Sequence, residues 1–159
     1  MFDLILKNMK SFKFILSAAL IGVLLTYSGC KKPSTEPDPK DVQIGKLSAT
    51  WKIKTGEAKL DGSAQTGYDN FILTASGTAG QTSFGYTCSG RPALSPWPAS
   101  GTFTFGTDFA TQIVRDDALP ITYSVTDTQL QLSFNYSGAG IAGRVSNVKG
   151  NWVYTFTKQ

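Results

Sequence analysis

The chain has 159 residues, with 15 basic and 11 acidic side chains, no histidine and a formal net charge of +4. The lack of histidine excludes Ser-His-Asp and Cys-His nucleophile activation and every histidine-containing zinc site. The mild charge, with Lys and Arg scattered rather than clustered, argues against a nucleic-acid partner.

In chain order, Lys7, Lys10 and Lys13 precede an uncharged run from Phe14 to Thr26. That is a basic n-region followed by an apolar h-region. It is too short to span a bilayer, which needs roughly 20 apolar residues. Met9 is an alternative start, because Met9-Lys10-Ser11-Phe12-Lys13 alone opens an ordinary leader. The run ends in Leu24-Leu25-Thr26-Tyr27-Ser28-Gly29-Cys30. Ser28, Gly29 and Cys30 resemble the lipobox of bacterial lipoproteins, with Tyr27 where that family carries leucine. The resemblance implies a signal peptide over 1–29, acylation of Cys30, and a domain held by acyl chains at the cell envelope. The outer membrane, on its periplasmic face or at the cell surface, is the expected address. More than one chain is needed for stable anchoring. A simple secretory leader with an incidental thiol at Cys30 is the alternative. Loss of the leader removes three lysines and Asp3, so the net charge falls from +4 to +2.

Residues 30–45 hold the lipidated cysteine and a tether, Lys31-Lys32-Pro33-Ser34-Thr35-Glu36-Pro37-Asp38-Pro39-Lys40-Asp41. Its prolines oppose helix and favour an extended, solvated chain. Lys31 and Lys32 are placed to touch anionic headgroups.

Residues 46–159 suffice for one core. Apolar residues alternate with period 2 in short runs. Ala49, Trp51 and Ile53 share a face, as do Phe71, Leu73 and Ala75, then Phe84, Tyr86 and Cys88, and Phe103 with Phe105. Ile121, Tyr123 and Val125 follow, then Leu130, Leu132, Phe134 and Tyr136, and finally Trp152, Tyr154 and Phe156. Asp61-Gly62, Ser76-Gly77, Gly80, Gly106-Thr107-Asp108, Asp116-Asp117 and Asp127-Thr128 separate the runs as turn signals. The spacing predicts an all-β domain: an antiparallel up-and-down barrel of about eight strands, with a β-sandwich as the alternative.

The first run, Leu47 to Ile53, and the last, Val148 to Phe156, resemble the opening and closing strands of small lipocalin-like domains of secreted bacterial lipoproteins. Ile113 to Tyr136 resembles their hairpin meander. The glycine of the lipocalin Gly-x-Trp is Ala49 here, and the literal Gly-x-Trp falls at Gly150 and Trp152. By position, Arg144 is the candidate for the arginine that packs over the lipocalin tryptophan. The resemblance implies a lipocalin-like barrel; a pocket has to be argued separately.

Few residues carry candidate chemistry. Cys88 shares a face with Phe84 and Tyr86 and reads as a buried, inert thiol; once Cys30 is acylated no intramolecular disulfide is available. Arg115-Asp116-Asp117 reads as hairpin-turn chemistry, with a calcium site borrowing Asp108 as the lesser reading. Gly138 to Gly143 lacks the lysine of a phosphate loop and reads as a hairpin loop. The stretch from Cys88 to Gly101 holds Pro92, Pro96 and Pro98, which rule out a central strand. Its Trp97 is either a plug over the end of the barrel or, with Arg91, a contact for ligand or partner. The expected function is non-enzymatic: a membrane-anchored lipoprotein whose barrel binds a small apolar or amphiphilic ligand. The alternative is an accessory envelope lipoprotein that binds a protein or glycan through the Trp97 loop. No pattern implies a cofactor or a resident metal.

Overall fold

The computed structural model describes residues 36–138 and 148–159. The leader, Cys30, the tether as far as Thr35, the greater part of the glycine-rich loop and Arg144 lie outside the described residues.

The elements are one helix, α1 (Pro39–Leu47), and nine strands: β1 (Thr50–Leu60), β2 (Ser63–Ala64), β3 (Ile72–Ser76), β4 (Ser83–Ser89), β5 (Ser100–Phe105), β6 (Gln112–Arg115), β7 (Pro120–Val125), β8 (Gln129–Tyr136) and β9 (Gly150–Lys158). From β3 to β9 each strand pairs antiparallel with the next. β1 pairs with both β3 and β9, closing eight strands into a barrel. The closing register runs from Trp51↔Lys158 to Leu60↔Trp152. It is a single closed sheet, so the sandwich alternative falls. β2 is an extra two-residue strand paired to the end of β1. Its hairpin turns on Asp61 (φ 49°) and Gly62 (φ 83°), the two positive φ angles that a type I′ turn requires.

The strands form where the period-2 runs lie, and the apolar parity points inward. β8 is the clearest case: Leu130, Leu132, Phe134 and Tyr136 are all buried while Gln129, Gln131 and Asn135 are exposed. β7 and β8 meet across Asp127-Thr128, neither of which takes positive φ. Thr126 N–H donates to the Gln129 carbonyl, and the Thr126 hydroxyl accepts from Gln129 N–H at 3.0 Å, which holds the turn. β1 is bent: it advances from residue 53 to 58 while β9 goes only from 156 to 154, with Gly56 at φ 73° inside the bulge.

The tether expectation is corrected at its C-terminal end. Residues 39–47 form a helix, because Pro39 occupies the first helical position, where its missing N–H costs nothing. Asp38 caps it by accepting from Lys40 N–H at 2.8 Å. The Asp41 carboxylate accepts from Gly80 N–H at 2.6 Å and ties α1 to the β3–β4 loop. Ile44 and Leu47, both buried, close this end of the barrel, and the Trp51 indole N–H donates to the Leu47 carbonyl at 2.9 Å. The other end carries the β1–β3 connection, the loop between β4 and β5, the β6–β7 turn and the approach to β9. These are called the helix end and the loop end below. No helix among the described residues is long and apolar enough to cross a membrane.

Candidate functional site

The segment between β4 and β5 folds into the loop end and fills it. Gly90 starts it at φ 66°; a Cβ there would lie 1.9 Å from the Asn70 carbonyl oxygen, so only glycine lets the two backbones pass. Ser95 is buried and its N–H bonds the Pro92 carbonyl. The Ser95 hydroxyl accepts from Trp97 N–H at 3.1 Å and lies 3.4 Å from the Tyr68 hydroxyl. These bonds and three prolines leave the loop little freedom, and they aim Trp97 into the barrel.

Trp97 has 0% exposure. Its ring meets Phe134 at 5.4 Å, Tyr86 and Tyr154 at 5.9 Å and Phe103 at 6.1 Å between centroids, in edge-to-face geometry. Such pairs contribute about 0.5–1.5 kcal/mol each beyond their buried area. Of the two expectations for this residue, the plug is the one the geometry carries. A side chain with no exposed surface contacts neither ligand nor partner in this state. Arg91 remains half-buried beside the loop, with one guanidinium nitrogen 3.3 Å from the Pro92 carbonyl. The large apolar side chain this loop shows to solvent is Leu94, 57% exposed.

Sequence reasoning left Arg115 in a turn. It is instead the last residue of β6, 1% exposed, with its side chain inside the barrel. The signal was parity, because Ile113 and Arg115 share a strand face. Its guanidinium lies 5.1 Å over the Trp97 ring and donates to the Pro96 carbonyl at 3.2 Å. The remaining edge makes a two-point bond with Asp117, at 2.9 and 2.7 Å. The Arg115 hydrogen bond holds the Asp117 carboxyl below its usual range. Arg115 thus ties the plug to the β6–β7 turn. That turn runs through Asp116, Asp117 and Ala118, and Ala118 takes φ 64°, where glycine is the easier residue.

Four buried polar atoms around this cluster have no hydrogen-bond partner among the described residues: the hydroxyls of Tyr86, Tyr136 and Tyr154 and the indole nitrogen of Trp97. Burial pushes all three phenols up. It also pushes the half-buried Cys88 thiol up to about 12, against the opposing pull of Arg91, so Cys88 stays a protonated thiol near neutrality.

Asp108 does not join Asp116 and Asp117. It sits in the β5–β6 loop at the helix end, accepting from Ala110 N–H at 3.0 Å and the Thr111 hydroxyl at 2.7 Å. Asp116 accepts from Thr102 N–H at 3.1 Å at the loop end. The whole length of β6 separates them, so neither a shared cation site nor a carboxylate pair is assembled. Two open depressions lie at strand ends: a groove of about 480 Å³ lined by Ser48, Thr50, Thr74, Ser76, Thr78 and Gln81, and one of about 410 Å³ beside Asp117, Leu119 and Tyr136.

Among the described residues two cations lie over tryptophans: Arg115 over Trp97, and Lys158 5.9 Å from the ring centre of Trp51; the Arg144 expectation lies outside the described residues. Comparison with protein-family models, curated proteins and solved structures finds no match to this chain.

Proposed function

We propose that this is a non-enzymatic, lipid-anchored envelope lipoprotein whose barrel is a filled scaffold and whose work is done on its outer surface, on a protein or glycan partner. The observation that carries this is the enclosed Trp97, with its four aromatic neighbours and Arg115 where an open lipocalin would keep its chamber. An eight-stranded barrel is just wide enough for its own side chains to fill. The contact surface on this reading is the β4–β5 loop, with Leu94 and Arg91 outward and Trp97 as its internal anchor. Acylation of Cys30 at the outer membrane, on either face, completes the reading. The test is capture of envelope components with the wild type against Leu94→Asp and Arg91→Glu variants. Loss of capture with unchanged circular dichroism supports the reading, and retention in both variants overturns the loop as contact.

A second reading is favoured by the four unpartnered polar atoms, each of which costs about 1–3 kcal/mol when buried unsatisfied. A small amphiphile would enter beside Arg115 when the Trp97 loop lifts, its polar head satisfying those groups. Native mass spectrometry decides between the two. A reproducible extra mass lost on denaturation selects the ligand binder, and a clean apo mass after incubation with fatty acids selects the scaffold.

A further inference from the structure

Lysines scattered in the sequence are gathered by the topology. Among the described residues there are seven, and six of them lie on α1, β1 and the end of β9: Lys40, Lys46, Lys52, Lys54, Lys59 and Lys158. On β1 the inward positions Trp51, Ile53 and Ala58 are buried, which turns Lys52, Lys54 and Lys59 outward. Lys52 and Lys54 stand about 7 Å apart on the same side of the strand. The flanking walls add no charge: the outward residues are Ile72, Thr74 and Ser76 on β3, Asn151, Val153 and Thr157 on β9, and Gln129, Gln131, Ser133 and Asn135 on β8.

Lys158 ends the seam at the helix end, over the edge of Trp51. Lys46 joins it there, since the last turn of α1 packs on the start of β1 through Leu47 and Trp51. The one acid of β1, Glu57, is paired with Lys59 at 3.0 Å. Among the described residues Lys46, Lys52, Lys54 and Lys158 have no ion-pair partner. Three acids of the helix end hold backbone groups: Asp38 caps α1, Asp41 binds the β3–β4 loop and Asp108 binds its own loop. Asp127 lies in the β7–β8 turn. Cations without an ion-pair partner among the described residues therefore run along β1 to the β9 end.

We propose that this seam docks the barrel on the anionic phospholipid headgroups of the bilayer that holds its anchor, an inference that rests on the acylation of Cys30. Two observations select the bilayer over another polyanion. The chain reaches the barrel at the helix end, through Asp38 and α1. Only seven residues lie between Cys30 and Asp38, a span of about 26–29 Å when fully extended, and Lys31 and Lys32 stand at the anchored end of that span. One lipid signal and a basic surface together give firmer attachment than either alone. Each lysine near an anionic surface shifts the docked equilibrium by about fivefold at physiological salt, so four unpaired lysines suffice to hold the domain down.

The test uses the acylated mature chain in vesicles of neutral phosphatidylcholine, with or without phosphatidylglycerol, and maps lysine reactivity toward an amine reagent by mass spectrometry. Docking predicts that Lys46, Lys52, Lys54 and Lys158 react about fivefold or more slowly on the anionic vesicles. Lys149, at the loop end, should be unchanged. Molar salt should restore the reactivity, because screening shortens to about 3 Å. In the Lys52→Glu, Lys54→Glu double variant, Lys46 and Lys158 should regain the reactivity seen on neutral vesicles. Equal labelling on both vesicles, from protein that floats with both, overturns the docking and leaves the anchor standing. Protein that floats with neither vesicle and carries no acyl mass on Cys30 overturns the anchor and the docking together.

Discussion

Trp97 and Arg115 hold each other in place. Replacing Trp97 by alanine removes a ring packed on four aromatics and leaves a guanidinium facing the gap, so the expected loss is about 3–5 kcal/mol, read as a lower urea midpoint. Trp97→Phe should retain much of that stability, because a smaller ring still meets Phe134 and Tyr154. Asp117 adds a pH dependence whose sign follows from its lowered pKa. The unfolded chain then binds the proton more readily than the folded one. The stabilisation is full above the ordinary aspartate value of about 3.9 and is lost as pH falls through the lower folded value. Melting temperature should therefore drop steeply in acid below about pH 4, and Asp117→Asn should flatten that slope. An unchanged slope would remove the Arg115 bond as its cause. Trp97 stood out in the sequence because two prolines fence it, but the direction it faces is set by Gly90, Ser95 and Tyr68, which come together only in the fold. Arg115 was hidden by its charge: a formally cationic side chain on an inward strand position is the residue that alternation discounts.

The strands were legible and the helix was not, for one physical reason. A β-strand half-buried in a barrel repeats its apolar side every second residue; β8 writes that pattern over its whole length, and β9 does so in Trp152, Tyr154 and Phe156. Helix α1 buries only Ile44 and Leu47, while Val42 stays 39% exposed, so no 3.6-residue apolar stripe announces it. Its signs are at the ends, in Asp38 before Pro39, and a chain full of prolines masks them. The cap gives a direct test. Asp38→Ala should cost about 0.5–2 kcal/mol. Leu47→Ala should cost about 2–5 kcal/mol, because it uncovers the helix end of the barrel. Both are measurable by thermal denaturation. Limited proteolysis should cut before Pro37 and spare residues 39–60 in the wild type. Cleavage within α1 at the wild-type rate of the tether would contradict its role as a closure.

The closed barrel favours the neutral form of Tyr86, Tyr123, Tyr136 and Tyr154. Burial raises Tyr86 and Tyr154 and pushes Tyr123 up to about 12, with the Tyr123 hydroxyl also donating to the Phe109 carbonyl. A raised folded value means the fold favours the proton. Its contribution is complete below the unfolded tyrosine value of about 10 and is lost as pH rises beyond it. Every tyrosine among the described residues is buried, so their tyrosinate absorbance should appear only together with loss of near-ultraviolet circular dichroism. A single smooth titration with the fold intact would show the core to be open to hydroxide. Closure itself was not legible from alternation, which assigns faces and is silent on whether the first strand meets the last. The pairing of β1 with β9 decides that, and it converts a row of amphipathic strands into a wall without an edge.

That seam also sets an order of events during biogenesis. Trp51 and Lys158 stand opposite each other in the sheet although they are more than a hundred residues apart in the chain. At about 5–20 residues per second, the interval between making one and the other is about 5–20 s. For that time β1 has a vacant flank, and the sheet has two sticky margins that can join a neighbouring nascent copy. A chain of this design needs an escort, or an exit that keeps siblings apart, until its last strand arrives.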